Sequence, residues 1–143
     1  MTKLSILAFA AHPDDVELSC SGTLITHIKK GYKTGIIDLT RGELGTRGSA
    51  ELRTQEAAKA TEIMGLTIRE NLGFRDGFFT RDEAHLREVI RIIRKYQPEI
   101  VFANAESDRH IDHGRAADLV HDACFLAGLR KIETTDNGAV QQA

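Results

Sequence analysis

The stretch Leu4-Ser5-Ile6-Leu7-Ala8-Phe9-Ala10 is a near-continuous apolar run with no polar face to spare. A strand with one side in water alternates apolar and polar residues, whereas a run of this kind suits a strand covered on both faces in a parallel sheet. Parallel neighbours are joined by crossovers, so the rest of the chain should alternate strand and helix.

It does. Glu17 to Lys30 carries Leu18, Leu24, Ile25 and Ile28 at helical spacing, with Gly31 as the stop. A second strand is expected at Thr34 to Leu39, ending in the glycine-dotted loop Arg41 to Gly48. Ser49 can cap a helix from Ala50 to Met64, with Ala57, Ala58, Ile63 and Met64 on one face and Gly65 at its end. A short strand follows near Thr67 to Leu72. Asp82 then caps the most regular amphipathic helix, in which Leu86, Val89, Ile90 and Ile93 repeat at i, i+3, i+4, i+7. Arg87, Arg91, Arg94 and Lys95 read as its solvated face. Pro98 breaks it, Ile100 to Ala103 makes a fourth strand, and His113 to Leu126 reads as a helix with Ala116, Ala117, Val120, Cys124 and Phe125 inward.

The order βαβαβαβα implies an α/β fold, a Rossmann-like three-layer sandwich around a mainly parallel, doubly wound sheet. At 143 residues there is room for one domain, expected over residues 1–128. Residues 129–143 are expected to form a polar, poorly ordered tail. If the winding reverses after the third strand, strands one and four become neighbours and share an open crevice at their C-terminal ends.

The chemistry lies there. Ala11-His12-Pro13-Asp14-Asp15 follows the first strand, and His110-Ile111-Asp112-His113 follows the fourth. Either cluster alone could be a turn with a helix cap, but adjacent strands would bring both together. Two imidazoles and a carboxylate bind zinc and leave a position open to water, whose pKa the metal lowers to about 7. Only one of the adjacent aspartates is needed as a ligand, and the other can take the proton of that water. The second cluster similarly offers one ligand and one histidine free to stabilise an oxyanion or protonate a leaving amine. Non-haem iron oxygenases use a similar ligand set, but the α/β pattern and the spare aspartate favour hydrolysis. His27, His85 and His121 lack such company and read as surface or core-edge residues.

Other classes fit poorly. No Gly-x-Gly-x-x-Gly follows the first strand, and carboxylates there would repel a pyrophosphate. The Gly42 to Gly48 stretch lacks that spacing and reads as a substrate loop or a turn. A formal net charge of −2 with interspersed signs gives no field for nucleic acid or an anionic membrane, and a small-molecule partner fits better. The first apolar stretch is too short for a signal peptide and nothing is long enough to span a bilayer. Cys20 and Cys124, without CxxC spacing, read as buried thiols of a cytoplasmic protein.

On these residues the chain resembles the PIG-L/LmbE-like superfamily of metal-dependent N-acetylglucosaminyl deacetylases, which pairs an AHPDD segment with a distal HxDH segment. Leu39 to Gly48, Glu70-Asn71-Leu72-Gly73-Phe74-Arg75-Asp76-Gly77 and Ser107-Asp108-Arg109-His110 look like its bacillithiol-pathway branch, which deacetylates N-acetylglucosaminyl-malate. The resemblance implies that His12, Asp15 and His113 hold zinc, with ferrous iron or another divalent metal the alternative, and that Asp14 is the general base. It makes His110, oriented by Asp112, the group assisting the tetrahedral intermediate and leaving amine, and Arg53 a substrate contact. It also implies a homo-oligomer, and a family pattern that continues past Ala143 to a tyrosine helping the oxyanion. The chain is therefore expected to be C-terminally shortened. Deacetylation of another amino sugar or a thiol conjugate, and a metal-binding fragment without turnover, are the competing expectations.

Overall fold

Every residue of β1 (Ile6–Ala10) and of β2 (Thr34–Thr40) is buried in the computed structural model, which describes residues 2–143. The alternating side chains of β1 enter two separate cores. Leu7, Phe9 and Ala11 pack with Val89, Ile90, Ile92, Leu119 and Val120 on one face, while Ile6, Ala8 and Ala10 pack with Val16, Leu24 and Met64 on the other. Burial on both faces is the physical reason for an apolar run without alternation.

Helices α1 (Asp15–Lys29), α2 (Ala50–Met64), α3 (Glu83–Tyr96) and α4 (Ile111–Leu126) alternate with β1, β2, β3 (Ile68–Phe74) and β4 (Ile100–Phe102). The four strands lie in the order β3-β2-β1-β4 and all pair in parallel. The reversal therefore follows the third strand, and β1 and β4 are neighbours. Caps behave as the residues dictate: Ser49 and Asp82 each accept a backbone N–H three residues on, and Gly65 ends α2 at φ 78°. Gly35 is demanded by close packing, since a Cβ there would lie 2.6 Å from Ile68 Cδ1.

Four expectations need correction. Leu18 is 83% exposed and Phe125 70% exposed, and Cys124 is also exposed. Helix α1 is broken at Cys20 (φ −141°), and ahead of the break Val16, not Leu18, is the residue that joins Leu24 in the core. In α4 the inward row is Asp112, Ala116, Leu119, Val120 and Ala123, which leaves Cys124 and Phe125 outside the stripe. Ile63, assigned to the packed face of α2, is exposed, and Met64 is the fully buried residue of that helix beside half-buried Ala57.

Arg94 is the largest departure. It is buried, and its guanidinium donates to the carbonyls of Ala127, Leu129 and Ile132 and to Thr134 Oγ1. Together with an Arg91–Asp136 ion pair of 2.7 Å, this anchors residues 129–143, whose strands β5 (Thr135–Asp136) and β6 (Ala139–Val140) form an antiparallel hairpin rather than a tail without structure. A charged donor satisfying several carbonyls is costly to delete. Arg94→Ala should lower unfolding free energy by about 3 kcal/mol in urea melts, with hydrogen exchange of residues 129–141 accelerating first.

Candidate metal centre

The C-terminal ends of β1 and β4 bring the two motifs together. His12, Asp14 and Asp15 leave β1 at the start of α1, and His110, Asp112 and His113 sit at the start of α4. The ring centroids of His12, His110 and His113 are 4.5 to 5.5 Å apart. Asp15 Oδ2 lies 3.7 Å from His12 Nδ1 and 3.4 Å from His113 Nε2. Ligands around a tetrahedral zinc, each about 2.0–2.1 Å from the metal, are separated by roughly 3.3 Å, so these two edges suit one ion. Among the described residues, donor atoms all lie within 4.8 Å of one another in two triplets, His12–His110–His113 and His12–Asp76–Asp112, and Asp15 joins the first through its two imidazole contacts rather than as a member of either. The geometry thus gathers all the proposed ligands but also places His110 and Asp76 within range.

Hydrogen bonds sort these nitrogens. His12 Nε2 donates to Asp112 Oδ2 at 2.9 Å and approaches Asp76 Oδ1 at 3.1 Å; ionised carboxylates only accept, so the proton is on Nε2. The backbone N–H of Asp112 donates to His110 Nδ1 at 3.1 Å, so in neutral His110 the ring proton is on Nε2. His113 Nδ1 lies 2.6 Å from Asp108 Oδ2. Asp15 is fixed by the N–H of His12 at 2.9 Å and by Asn104 Nδ2 at 3.1 Å.

Asp112 corrects an expectation. Its carboxylate serves His12 and accepts the N–H of Gly77, while its contact with His110 is through the backbone. Burial opposes its charge, but His12 and Gly77 outweigh that and hold its carboxyl below the ordinary value.

Asp14 adopts φ 146°, a region that a non-glycine residue rarely enters, and its side chain does not cap α1. With no cap to form, the half-exposed carboxylate is open to solvent or a ligand on the side away from Arg53. Burial pushes its carboxyl above the ordinary value, against the opposing charge of Arg53 and helped by Asp15 and Glu17. Arg53 itself lies 3.4 Å from Asp14 Oδ1 and donates to the carbonyls of Gly42 and Pro13. Its nitrogens therefore brace the two loops around Asp14.

Burial works against a charge on His12, but Asp15 and Asp112 raise its pKa from 6.5 to about 9. A histidine raised on folding stabilises fully below 6.5, and the contribution disappears as pH rises through about 9. Chelator-stripped protein should lose on the order of 3 kcal/mol of stability across that window in urea melts. A metal on Nδ1 replaces that proton, so zinc-loaded protein should show no such decline.

Asp76, Asn104 and the pairing of Asp108 with His113 escaped the sequence reading. Asp76 follows β3, two strands from β1, and reaches His12 because Glu43 and Leu44 of the β2–α2 loop bind it: Glu43 Oε2 accepts its N–H, and its Oδ2 accepts that of Leu44. The available signal was positional, since every strand of a parallel sheet delivers its C-terminal loop to the same edge.

Comparison with known proteins identifies relatives of this fold. The family model PIG-L, GlcNAc-PI de-N-acetylase, matches residues 7–124. The conserved protein TT1542 from Thermus thermophilus superposes with a TM-score of 0.88 at 44% identity, over 95% of this chain and 62% of that one. The 4-carboxy-2-hydroxymuconate hydratase GalB from Pseudomonas putida gives 0.80 at 26% identity, over 91% and 58%. The probable N-acetyl-alpha-D-glucosaminyl L-malate deacetylase 2 of Bacillus anthracis is 29% identical over 133 residues, covering 82% of this chain and 58% of that protein. The chain thus spans about three-fifths of the length of each of these three proteins.

Proposed function

The chain belongs to the PIG-L family of GlcNAc-PI de-N-acetylases, and on that premise we propose that it is a metal-dependent N-deacetylase of a GlcNAc conjugate, acting on N-acetylglucosaminyl-malate. The observation that carries the reading is the sorting of ring nitrogens around Asp15. His12 offers Nδ1, His113 offers Nε2, and both face the same carboxylate oxygen. His110 is set apart because its Nδ1 already accepts an N–H, leaving a proton rather than a lone pair on Nε2. We therefore assign His12, Asp15 and His113 as ligands, and His110 as a donor toward substrate.

Zinc bound there, or ferrous iron in its place, would polarise the acetamide carbonyl and lower the pKa of a bound water. Asp14, its carboxyl raised above the ordinary value by burial, takes a proton from the attacking water as the oxygen adds to the acetyl carbon. The Nε2–H of His110 stabilises the oxyanion that results. The C–N bond then breaks, the proton held by Asp14 passes to the departing amine, and acetate is left. Arg53 keeps Asp14 ionised and aligned, and a substrate hydroxyl or carboxylate is its further partner.

Malate as the conjugate rests on the stretches near Gly42–Gly48, Glu70–Gly77 and Ser107–His110 and on the Bacillus anthracis relative. The likeness to a hydratase favours a second reading, water addition to an unsaturated acid at the same centre. Incubating the zinc-loaded chain with N-acetylglucosaminyl-malate while following free amine and acetate separates the two. Metal-dependent release of both supports the deacetylase. Release from N,N'-diacetylchitobiose but not from the malate conjugate would move the substrate to another amino sugar. Bound zinc with no acetate from either, together with hydration of 4-carboxy-2-hydroxymuconate, would support the second reading; zinc without any turnover would make this chain a metal-binding fragment.

A further inference from the structure

The two imidazoles assigned to the metal present opposite nitrogens, and in each case a carboxylate from a different loop selects which one. Asp108 lies in the β4–α4 connection, 2.6 Å from His113 Nδ1. Because an ionised carboxylate can only accept, the ring carries its proton on Nδ1 and aims the lone pair of Nε2 at Asp15 Oδ2, 3.4 Å away. His12 is arranged the other way round. Its Nε2 is engaged by Asp112 and by Asp76, which turns Nδ1 toward the same Asp15 oxygen.

Asp76 is built to hold that position. It is buried, its N–H donates to Glu43 Oε2, and its second carboxylate oxygen accepts the N–H of Leu44. The adjacent N–H of Gly77 donates to Asp112 Oδ2, and Arg115 clamps the Gly77 carbonyl at 2.6 Å. Both carboxylates on His12 are thereby joined to one backbone turn. With two carboxylate acceptors on Nε2 and Asp15 beside Nδ1, the imidazole is held at both nitrogens.

We propose that Asp108 and Asp76 are positioning residues that impose opposite tautomers on His113 and His12, so that Nε2 of the first and Nδ1 of the second meet Asp15 at one divalent-cation site. This rests on the ligand assignment made above. Carboxylates behind metal-binding histidines raise ligand basicity, and losing one typically weakens metal binding about 10–100-fold. A purely structural part for Asp108 would leave both zinc affinity and the ring nitrogens unchanged.

The test uses the 143-residue chain loaded with zinc and labelled with nitrogen-15 at histidine. Long-range proton–nitrogen spectra should show His113 protonated on Nδ1 and zinc-bound through Nε2, with His12 reversed. Chelator competition should place Asp108→Asn and Asp76→Asn about 10–100-fold weaker in zinc affinity. Asp108→Glu, which retains an acceptor-only group, should recover part of the loss, and circular dichroism should stay unchanged in the Asp108 variants. Wild-type affinity in both asparagine variants, or both histidines bound through the same nitrogen, overturns the proposal. Zinc held by the expected nitrogens without hydrolysis would sink the deacetylase reading and leave this inference standing, whereas a chain that takes up no zinc removes both.

Discussion

Asp14→Ala should leave zinc stoichiometry intact while lowering acetate release by about 10²–10⁴-fold, the range that a positioned general base contributes. Its carboxylate pairs with Arg53, whereas that of Asp15 faces both imidazoles, so loss of Asp14 removes proton transfer without removing the ion. Its backbone at φ 146° belongs to a conformation that strains alanine as well, so the substitution is not expected to relieve the turn. Asp14→Asn is the stricter comparison, because it keeps the volume and the contact with Arg53 while abolishing the base. Zinc content by atomic absorption alongside initial rates decides the matter. Near-normal turnover in both variants would remove Asp14 from the mechanism.

The second large effect falls on the metal. Asp15→Ala should weaken zinc binding by a few hundredfold, since zinc sites commonly place about 10–16 kcal/mol on four ligands, or about 3 kcal/mol for each. Burial opposes the charge of Asp15, yet the His12 imidazole, together with the His12 N–H and Asn104 Nδ2 whose hydrogen bonds it accepts, brings its pKa down to about 2. Its carboxylate is therefore ionised and pre-aimed throughout the neutral range. Titration with a zinc-selective chelator measures the loss, and activity should return only at zinc concentrations that refill the site. If Asp15→Ala kept wild-type affinity while His110→Ala lost it, the compact three-histidine arrangement would be the true ligand set.

Arg53 shows how a residue can be singled out in a sequence while its contacts cannot. A lone arginine in Glu51-Leu52-Arg53-Thr54 carries no local sign of its partners, which lie on the Pro13 turn and the Gly42 loop. The same holds for Arg94, whose helix-surface spacing suggested solvent. The chain folds back over it after α4, and the carbonyls it meets belong to residues 127–132. A solvated arginine and a buried one differ in what is packed against them, and hydropathy spacing within a helix does not contain that information.

The layered fold was legible because local patterns decide it. A strand buried on both faces must be apolar throughout, helix caps act within three residues, and a right-handed crossover rule leaves few ways to wind four strands. The two motifs could be read, and their meeting foreseen, for the same reason: topology follows from element order. Which nitrogen of each histidine is left open toward Asp15 was decided only in three dimensions. Asp76 arrives from a strand two places away, Asp108 turns back from the β4–α4 connection, and Asp112 bypasses its sequence neighbour His110 to reach His12. Hydrogen bonds of about 3 Å depend on where loops converge, and that convergence is a property of the packed tertiary structure, whereas the residue types able to bind a metal were written in the sequence.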